Sequence, residues 1–251
     1  QLDPGQYQIV KNDKRVQMVN QFSVTPARSR QKVELKITKG IGPAANPLRY
    51  ERGLQYAKDL EYAGYTLYSS MEMLSGAESN QIGLWNLLQM PHGGDLLIPT
   101  YSKSQPKIYF GTKGTIGPDD LLVDDHLVCY KMRQEGEHKL GIRAAATAGR
   151  AGYLYQEESH WALIIRNFAV NPSGEYIDVP REDHQDLGYL AQACNVNSGL
   201  GSFSELEYHE PAIGKGTGMS RYDGSAQTWA YRGSQPAVLE AARLLVSPAI
   251  R

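Results

Sequence analysis

The sequence predicts an all-β protein, and three observations carry that prediction. Short segments of strand character recur along the whole chain with turn residues between them. The composition is rich in tyrosine, with 16, and in turn formers, with 25 Gly and 13 Pro, as half-buried strands joined by many turns require. Only one segment, Pro236–Leu245 (PAVLEAARLL), has a convincingly helical composition. Strands without alternating helices imply a sandwich or barrel rather than a parallel α/β fold.

Val33–Thr38 alternates strictly and reads as a half-buried strand, after two short edge candidates at Tyr7–Val10 and Val16–Val19. Lys39–Leu48, with two Gly and two Pro, reads as a loop, and Asn46–Leu60 has room for a helical turn. Gly64–Met73 reads as one strand despite its Met and Glu, because Tyr65, Thr66 and Tyr68 favour extended backbone. Ile82–Met90 predicts a buried strand that leaves through Pro91-His92-Gly93-Gly94. Lys107–Gly111, Leu127–Met132, Lys139–Thr147, Gly152–Gln156 and Trp161–Phe168 follow as strands, the last the most apolar. Asn171–Gly174 predicts a turn leading into a hairpin partner at Glu175–Val179, and Pro180–Asp186 a polar surface loop. Gly199–Ile213 predicts a late strand, Gly214–Gly224 a Gly-rich loop, and Ser225–Arg232 a last strand.

Composition excludes several functions. With 26 basic and 27 acidic residues and no long basic run, the chain lacks the charge of a nucleic-acid-binding surface. No apolar stretch is long enough for a membrane helix. No Walker loop, dinucleotide-binding glycine set, GxSxG elbow or HExxH is present, so no cofactor is expected. Asp183-His184-Gln185-Asp186 and Asp124-Asp125-His126 lack the spacing of a zinc or calcium site. Cys129 and Cys194 are too few for a disulfide framework, and one bridge or two separate thiols are both open. A chain that starts at Gln1 rather than Met leads to the expectation of processing and of a secreted or periplasmic location.

Three constellations could carry chemistry. In SELEYH, period-two alternation sets Glu205, Glu207 and His209 on one face and Leu206 and Tyr208 on the other. A row of ionisable groups is either a polar cleft or a solvated face, and a partly desolvated carboxylate there becomes a base. Gln89 and His92 flank the Gly93-Gly94 turn, where His92 is either a cleft-mouth acid or a surface histidine. Arg143, Arg150 and Arg166 form a basic set; Arg143 and Arg166 lie in strand context, so one of the two is expected to pair with an inward carboxylate, in an anionic-sugar site or a structural ion pair. Trp85 and Trp161 have the right chemistry to stack on sugars, but their apolar surroundings read as core.

GLGSFSELEYHEPAI, GLWNLLQMPHGG and the following LLIPTY resemble the galactose-mutarotase-like (aldose 1-epimerase-like) superfamily, and within it a bacterial branch. The resemblance implies a large antiparallel β-supersandwich, here a single β-sandwich domain over residues 1–251 that lacks N-terminal strands. It also implies a sugar cleft in which a carboxylate takes the anomeric proton and a histidine protonates the ring oxygen. Glu205 or Glu207 would be the base, His92 the acid with His209 as second candidate, and Gln89 and Arg143 would bind the sugar. Arg166 and Trp85 join that substrate-binding set as candidates. The expected partner is a carbohydrate. The alternatives are a non-catalytic carbohydrate-binding or structural module, and a lyase acting on acidic polysaccharide.

Overall fold

The computed structural model describes residues 5–27, 29–55, 59–111, 116–177 and 185–250. Its elements are β1 (Gln8–Asn12), β2 (Val16–Val24), β3 (Val33–Pro43), β4 (Glu61–Ser75), β5 (Gln81–Ile82), β6 (Trp85–Pro91), β7 (Asp95–Pro99), β8 (Lys107–Gly111) and β9 (Leu121–Val123). They continue with β10 (Leu127–Lys131), β11 (Gly136–Ile142), β12 (Arg150–Glu157), β13 (His160–Phe168), β14 (Ala191–Ser198), β15 (Gly201–His209), β16 (Ile213–Gly214), β17 (Arg221–Gly233) and α1 (Gln235–Leu245). The architecture is all-β, as the sequence predicts.

Ten strands form one antiparallel sheet in the order β1-β2-β3-β4-β17-β13-β12-β7-β10-β9, and five form a second in the order β6-β15-β14-β11-β8. β16 and β5 make a two-stranded piece. The long β17 is the seam of the larger sheet, pairing with β4 from Arg221–Glu72 to Arg232–Glu61 on one side and with β13 on the other.

The sheets pack face to face because alternate residues of each are apolar. Leu96, Ile98, Val128, Tyr130 and Tyr153 from the larger sheet meet Leu140, Ala191, Ala193, Leu206 and Tyr208 from the smaller in one core. Phe168 and Tyr208 stack across it, with ring centroids 4.8 Å apart and planes within 6°. The other face of the larger sheet is covered by α1: Ala237, Val238, Ala241, Ala242 and Leu245 make the buried stripe of the helix and pack on Leu163, Ile165, Trp229 and Tyr231. Among the described residues the main contacts of the helix are with β13 and β17 of the larger sheet.

Four local expectations change. Lys39–Pro43 continues β3 instead of entering a loop, because it pairs with both β2 and β4. β17 starts at Arg221, inside the expected Gly-rich loop. The expected strand at Glu175–Val179 is reduced, within the described residues, to a parallel bridge between Tyr176 and Gly188. β14 is an unexpected strand, buried along most of its length. Its sequence AQACNVNS lacks strand formers, but small side chains fit between neighbours on both sides in a core that already holds Tyr130, Tyr153, Tyr176 and Tyr208. The candidates Asp183 and His184 lie outside the described residues. Cys129 and Cys194 are both free thiols. They sit in different sheets, on β10 and β14, and burial pushes their pKa values up to about 11 and about 12 respectively.

Candidate functional site

On β15, Leu206 and Tyr208 enter the core, so alternation turns Glu205, Glu207 and His209 to the outer face of the smaller sheet. Register then assembles their neighbours. Glu207 lies between Leu87 of β6 and Gln192 of β14, Glu205 between Gln89 and Cys194, and His209 is opposite Trp85. One strand further on, Lys139 pairs with Cys194 and Gly141 with Gln192. On the edge strand β8 the register slips between Lys139 and Leu140, whose partners are Phe110 and Ile108, so Tyr109 is the bulged residue.

This row of ionisable groups is neither an open cleft nor a solvated face. Glu207 is 1% exposed and His209 3% exposed. Glu207 Oε2 accepts a hydrogen bond from Trp85 Nε1 at 2.8 Å and another from Lys139 Nζ at 3.0 Å. Burial raises the Glu207 pKa, while the Lys139 charge and the two hydrogen bonds pull it back. Its other oxygen, Oε1, is buried and accepts no hydrogen bond among the described residues. Glu205 is more open and accepts from Gln89 Nε2 at 3.3 Å.

Trp85, expected in the core, is 52% exposed. Its position on β6 turns it outward, where the indole stacks beside His209 with centroids 6.5 Å apart and planes 13° from parallel. The same ring lies 5.6 Å from Lys139 Nζ. One aromatic surface thus orders the carboxylate, the lysine and the histidine.

The chain matches no protein-family model and no curated protein.

The remaining candidates separate. His92 follows β6 at the opposite end from Trp85. Leu87 is the β6 partner of Glu207, and five residues of extended strand from there amount to roughly 17 Å. His92 is therefore closer along the sheet to Glu205 than to Glu207. Arg143 follows β11 and forms a two-point ion pair with Asp186, at 2.6 and 3.4 Å. The pair raises the Arg143 pKa and lowers that of Asp186. Arg166 lies between the sheets, 3% exposed, and donates to the carbonyls of Asn86 and Leu206 at 3.1 and 3.2 Å. Of the two arginines it is thus Arg143 that has the carboxylate partner, while Arg166 is held by backbone oxygens and by the Tyr208 ring, 4.6 Å from Cζ. Arg150 ties the larger sheet to α1 by donating to the Leu245 carbonyl.

Lys139, Gln192, Tyr109, Tyr189 and Gly141 complete the face and were not singled out from the sequence. Gln192 Nε2 donates to the Tyr189 carbonyl at 3.2 Å and reaches Tyr109 Oη at 3.5 Å. Tyr109 and Tyr189 meet edge to face, 5.6 Å apart, above Gly141. A Cβ on Gly141 would lie 2.9 Å from Tyr109 Cε2 and 3.0 Å from Tyr189 Cβ. Alternation along Lys139-Leu140-Gly141 was the one available signal, since it puts Lys139 and Gly141 on a common face. Gly141→Ala is expected to destabilise the protein by about 1–3 kcal/mol and to alter the tyrosine near-ultraviolet circular dichroism. An unchanged spectrum and stability would show that the tyrosine pair does not need this gap.

No group of three or more metal-ligating side chains forms among the described residues. Two recesses, of about 450 Å³ beside Leu122, Cys129 and Ile250 and about 420 Å³ beside Arg15, Tyr68 and Arg221, lie away from this face. The first is largely apolar and the second is formed by the outer face of β2, β3, β4 and β17. Among the described residues, the five-stranded face combines an exposed indole with a buried carboxylate.

Proposed function

We propose that this protein is a carbohydrate-active protein of the galactose-mutarotase-like kind, which seats a saccharide against Trp85 and interconverts its anomers. The observation that carries this reading is the half-exposed Trp85 indole whose Nε1–H is bonded to the buried Glu207 carboxylate. A flat aromatic ring offers the C–H face of a sugar an apolar surface, and the more open Glu205 carboxylate on the same face accepts hydroxyl hydrogen bonds.

In this reading the face opens locally beside Trp85, Glu207 takes the proton of the anomeric hydroxyl, and His209 as the acid gives one to the ring oxygen. The bond between the anomeric carbon and the ring oxygen breaks, leaving an open-chain aldehyde. Rotation and reclosure return both protons and yield the other anomer. Lys139 favours the charged form of Glu207 against the effect of burial. His209 suits the acid role better than His92, because it is two residues from Glu207 on the same strand face, roughly 7 Å away. The ten-stranded and five-stranded sandwich is compatible with a supersandwich of that kind.

A second reading is binding without turnover, and one observation favours it. Two donors occupy the same Glu207 oxygen, which weakens a carboxylate as a base. Exchange NMR and polarimetry across an aldose panel separate the two. Catalysis predicts that Glu207→Gln lowers the anomer exchange rate by about 10²–10⁴-fold. Trp85→Ala is expected to weaken saccharide binding by about tenfold in either reading, which corresponds to about 1.4 kcal/mol. Exchange no faster than in buffer across the panel would remove the catalytic reading. Saccharide affinity unaffected by Trp85→Ala would remove the platform itself.

A further inference from the structure

The outer face of the five-stranded sheet carries cations and aromatic rings in alternation. Lys139 Nζ lies 5.6 Å from the Trp85 ring and 5.9 Å from that of Tyr109. Lys107 Nζ lies 5.1 Å from the Tyr109 ring and 5.4 Å from that of Tyr189. Arg143 Cζ then lies 4.6 Å from the Tyr189 ring. The row runs Trp85, Lys139, Tyr109, Lys107, Tyr189, Arg143.

The three cations are not equivalent. Glu207 neutralises Lys139 at 3.0 Å, and Asp186 neutralises Arg143 at 2.6 Å. Lys107 is exposed and forms no ion pair or hydrogen bond among the described residues. Its ammonium is held by two ring faces, which attract a cation without cancelling its charge, and it acts on Asp186 only from beyond ion-pair distance. At the other end of the face, the Glu205 carboxylate accepts a hydrogen bond from the neutral Gln89 amide and forms no ion pair among the described residues. The face is therefore polarised, with a spare positive charge at the Tyr109–Tyr189 end and a spare negative charge at the Gln89–Glu205 end.

Its length also matters. Trp85 is on β6 and Tyr109 on β8, the two edges of the five-stranded sheet. Their rings nevertheless lean toward each other over Lys139, whose Nζ lies 5.6 Å from one and 5.9 Å from the other, so a short saccharide reaches both ends of the face.

We propose that the ligand is an acidic saccharide, with one ring on Trp85 and an anionic substituent, carboxylate or sulfate, held by Lys107 at the Tyr109–Tyr189 corner. This rests on the carbohydrate reading above and adds the substrate class and the direction of binding. An oxyanion reaching Lys107 gains a charge-assisted hydrogen bond at a site whose cation has no competing carboxylate within ion-pair distance. Arg143, already paired with Asp186, supplies a further positive potential rather than the main contact.

The test is calorimetry on the full chain with uronate-bearing, sulfated and uncharged saccharides, using the parent protein, Lys107→Gln and Trp85→Ala. Acidic ligands are expected to bind at least tenfold tighter than uncharged congeners of the same length, with affinity that falls as salt rises. Lys107→Gln should remove that preference and leave uncharged ligands unaffected, and a stronger carboxylate or sulfate response identifies the substituent. Trp85→Ala should weaken both ligand types. Equal binding of charged and uncharged congeners, or a preference that survives Lys107→Gln, overturns the acidic-ligand proposal while the carbohydrate reading stands. Absence of binding by every saccharide, or binding insensitive to Trp85→Ala, overturns the carbohydrate reading and this proposal with it.

Discussion

Replacing Lys139 with methionine is expected to destabilise the folded protein by about 3–5 kcal/mol at pH 7, because it leaves a buried carboxylate without its counter-charge. Glu207 is 1% exposed, and Lys139, itself 8% exposed, is its cationic partner. Only the Trp85 indole N–H would then remain on the carboxylate among the bonds described. The pH dependence has a definite sign. The Glu207 pKa is raised above its ordinary 4.5 by burial, so the folded state holds this proton more tightly than the unfolded chain does. The associated stability is fully present below the unfolded value and is lost as pH rises through the folded one. Without Lys139 the folded pKa rises further and the loss at pH 7 grows. Urea unfolding should therefore show a large deficit at pH 7 that shrinks toward pH 4. Lys139→Met combined with Glu207→Gln should recover most of the loss, since the buried charge is gone. A deficit that is equal at both pH values, or that persists in the double variant, would show that Lys139 acts through packing of its stem and not through charge.

The second large effect is expected at Phe168. Phe168→Ala should cost about 3–5 kcal/mol, through lost apolar burial and the cavity left behind. Phe168 of β13 is 6% exposed and stacks on Tyr208 of β15, 4.8 Å away. The same tyrosine ring lies 4.6 Å from the Arg166 guanidinium, whose nitrogen also holds the Asn86 and Leu206 carbonyls of the smaller sheet. Phe168 and Arg166 thus clamp the strand that carries Glu207 and His209 against the larger sheet. Denaturant unfolding should show a lower midpoint with little change in slope, the signature of lost stability rather than altered exposure. Phe168→Leu should cost clearly less, because it retains most of the buried volume. If both substitutions fall within about 0.5 kcal/mol of the parent, the stack contributes little to joining the sheets.

Much of the strand architecture was legible because it rests on local pattern. Val33–Thr38 alternates, and the structure buries Val33, Leu35 and Ile37 while leaving the residues between them more open. PAVLEAARLL forms α1, whose buried stripe follows helical spacing. Two features were hidden for different physical reasons. β14 uses Ala, Asn and Cys, which have little strand preference of their own and extend because β11 and β15 flank them with hydrogen bonds. Trp85 reads as core from its apolar neighbours, yet its register opposite His209 turns it outward. Hydrophobicity alone does not report which face of a sheet has a cover.

The site divides in the same way. By itself the sequence determined that Glu205, Glu207 and His209 share a face, because side chains in a strand alternate with period two. Tertiary structure alone decided what that face meets. Lys139 is 68 residues from Glu207 in the chain, and Trp85 is 122 residues from it, yet both donate to the same oxygen. The lateral order β6-β15-β14-β11-β8 brings them together, and strand order is a non-local choice made by packing one whole sheet against another. That packing turns a row of ionisable residues into a buried carboxylate held by an indole and an ammonium.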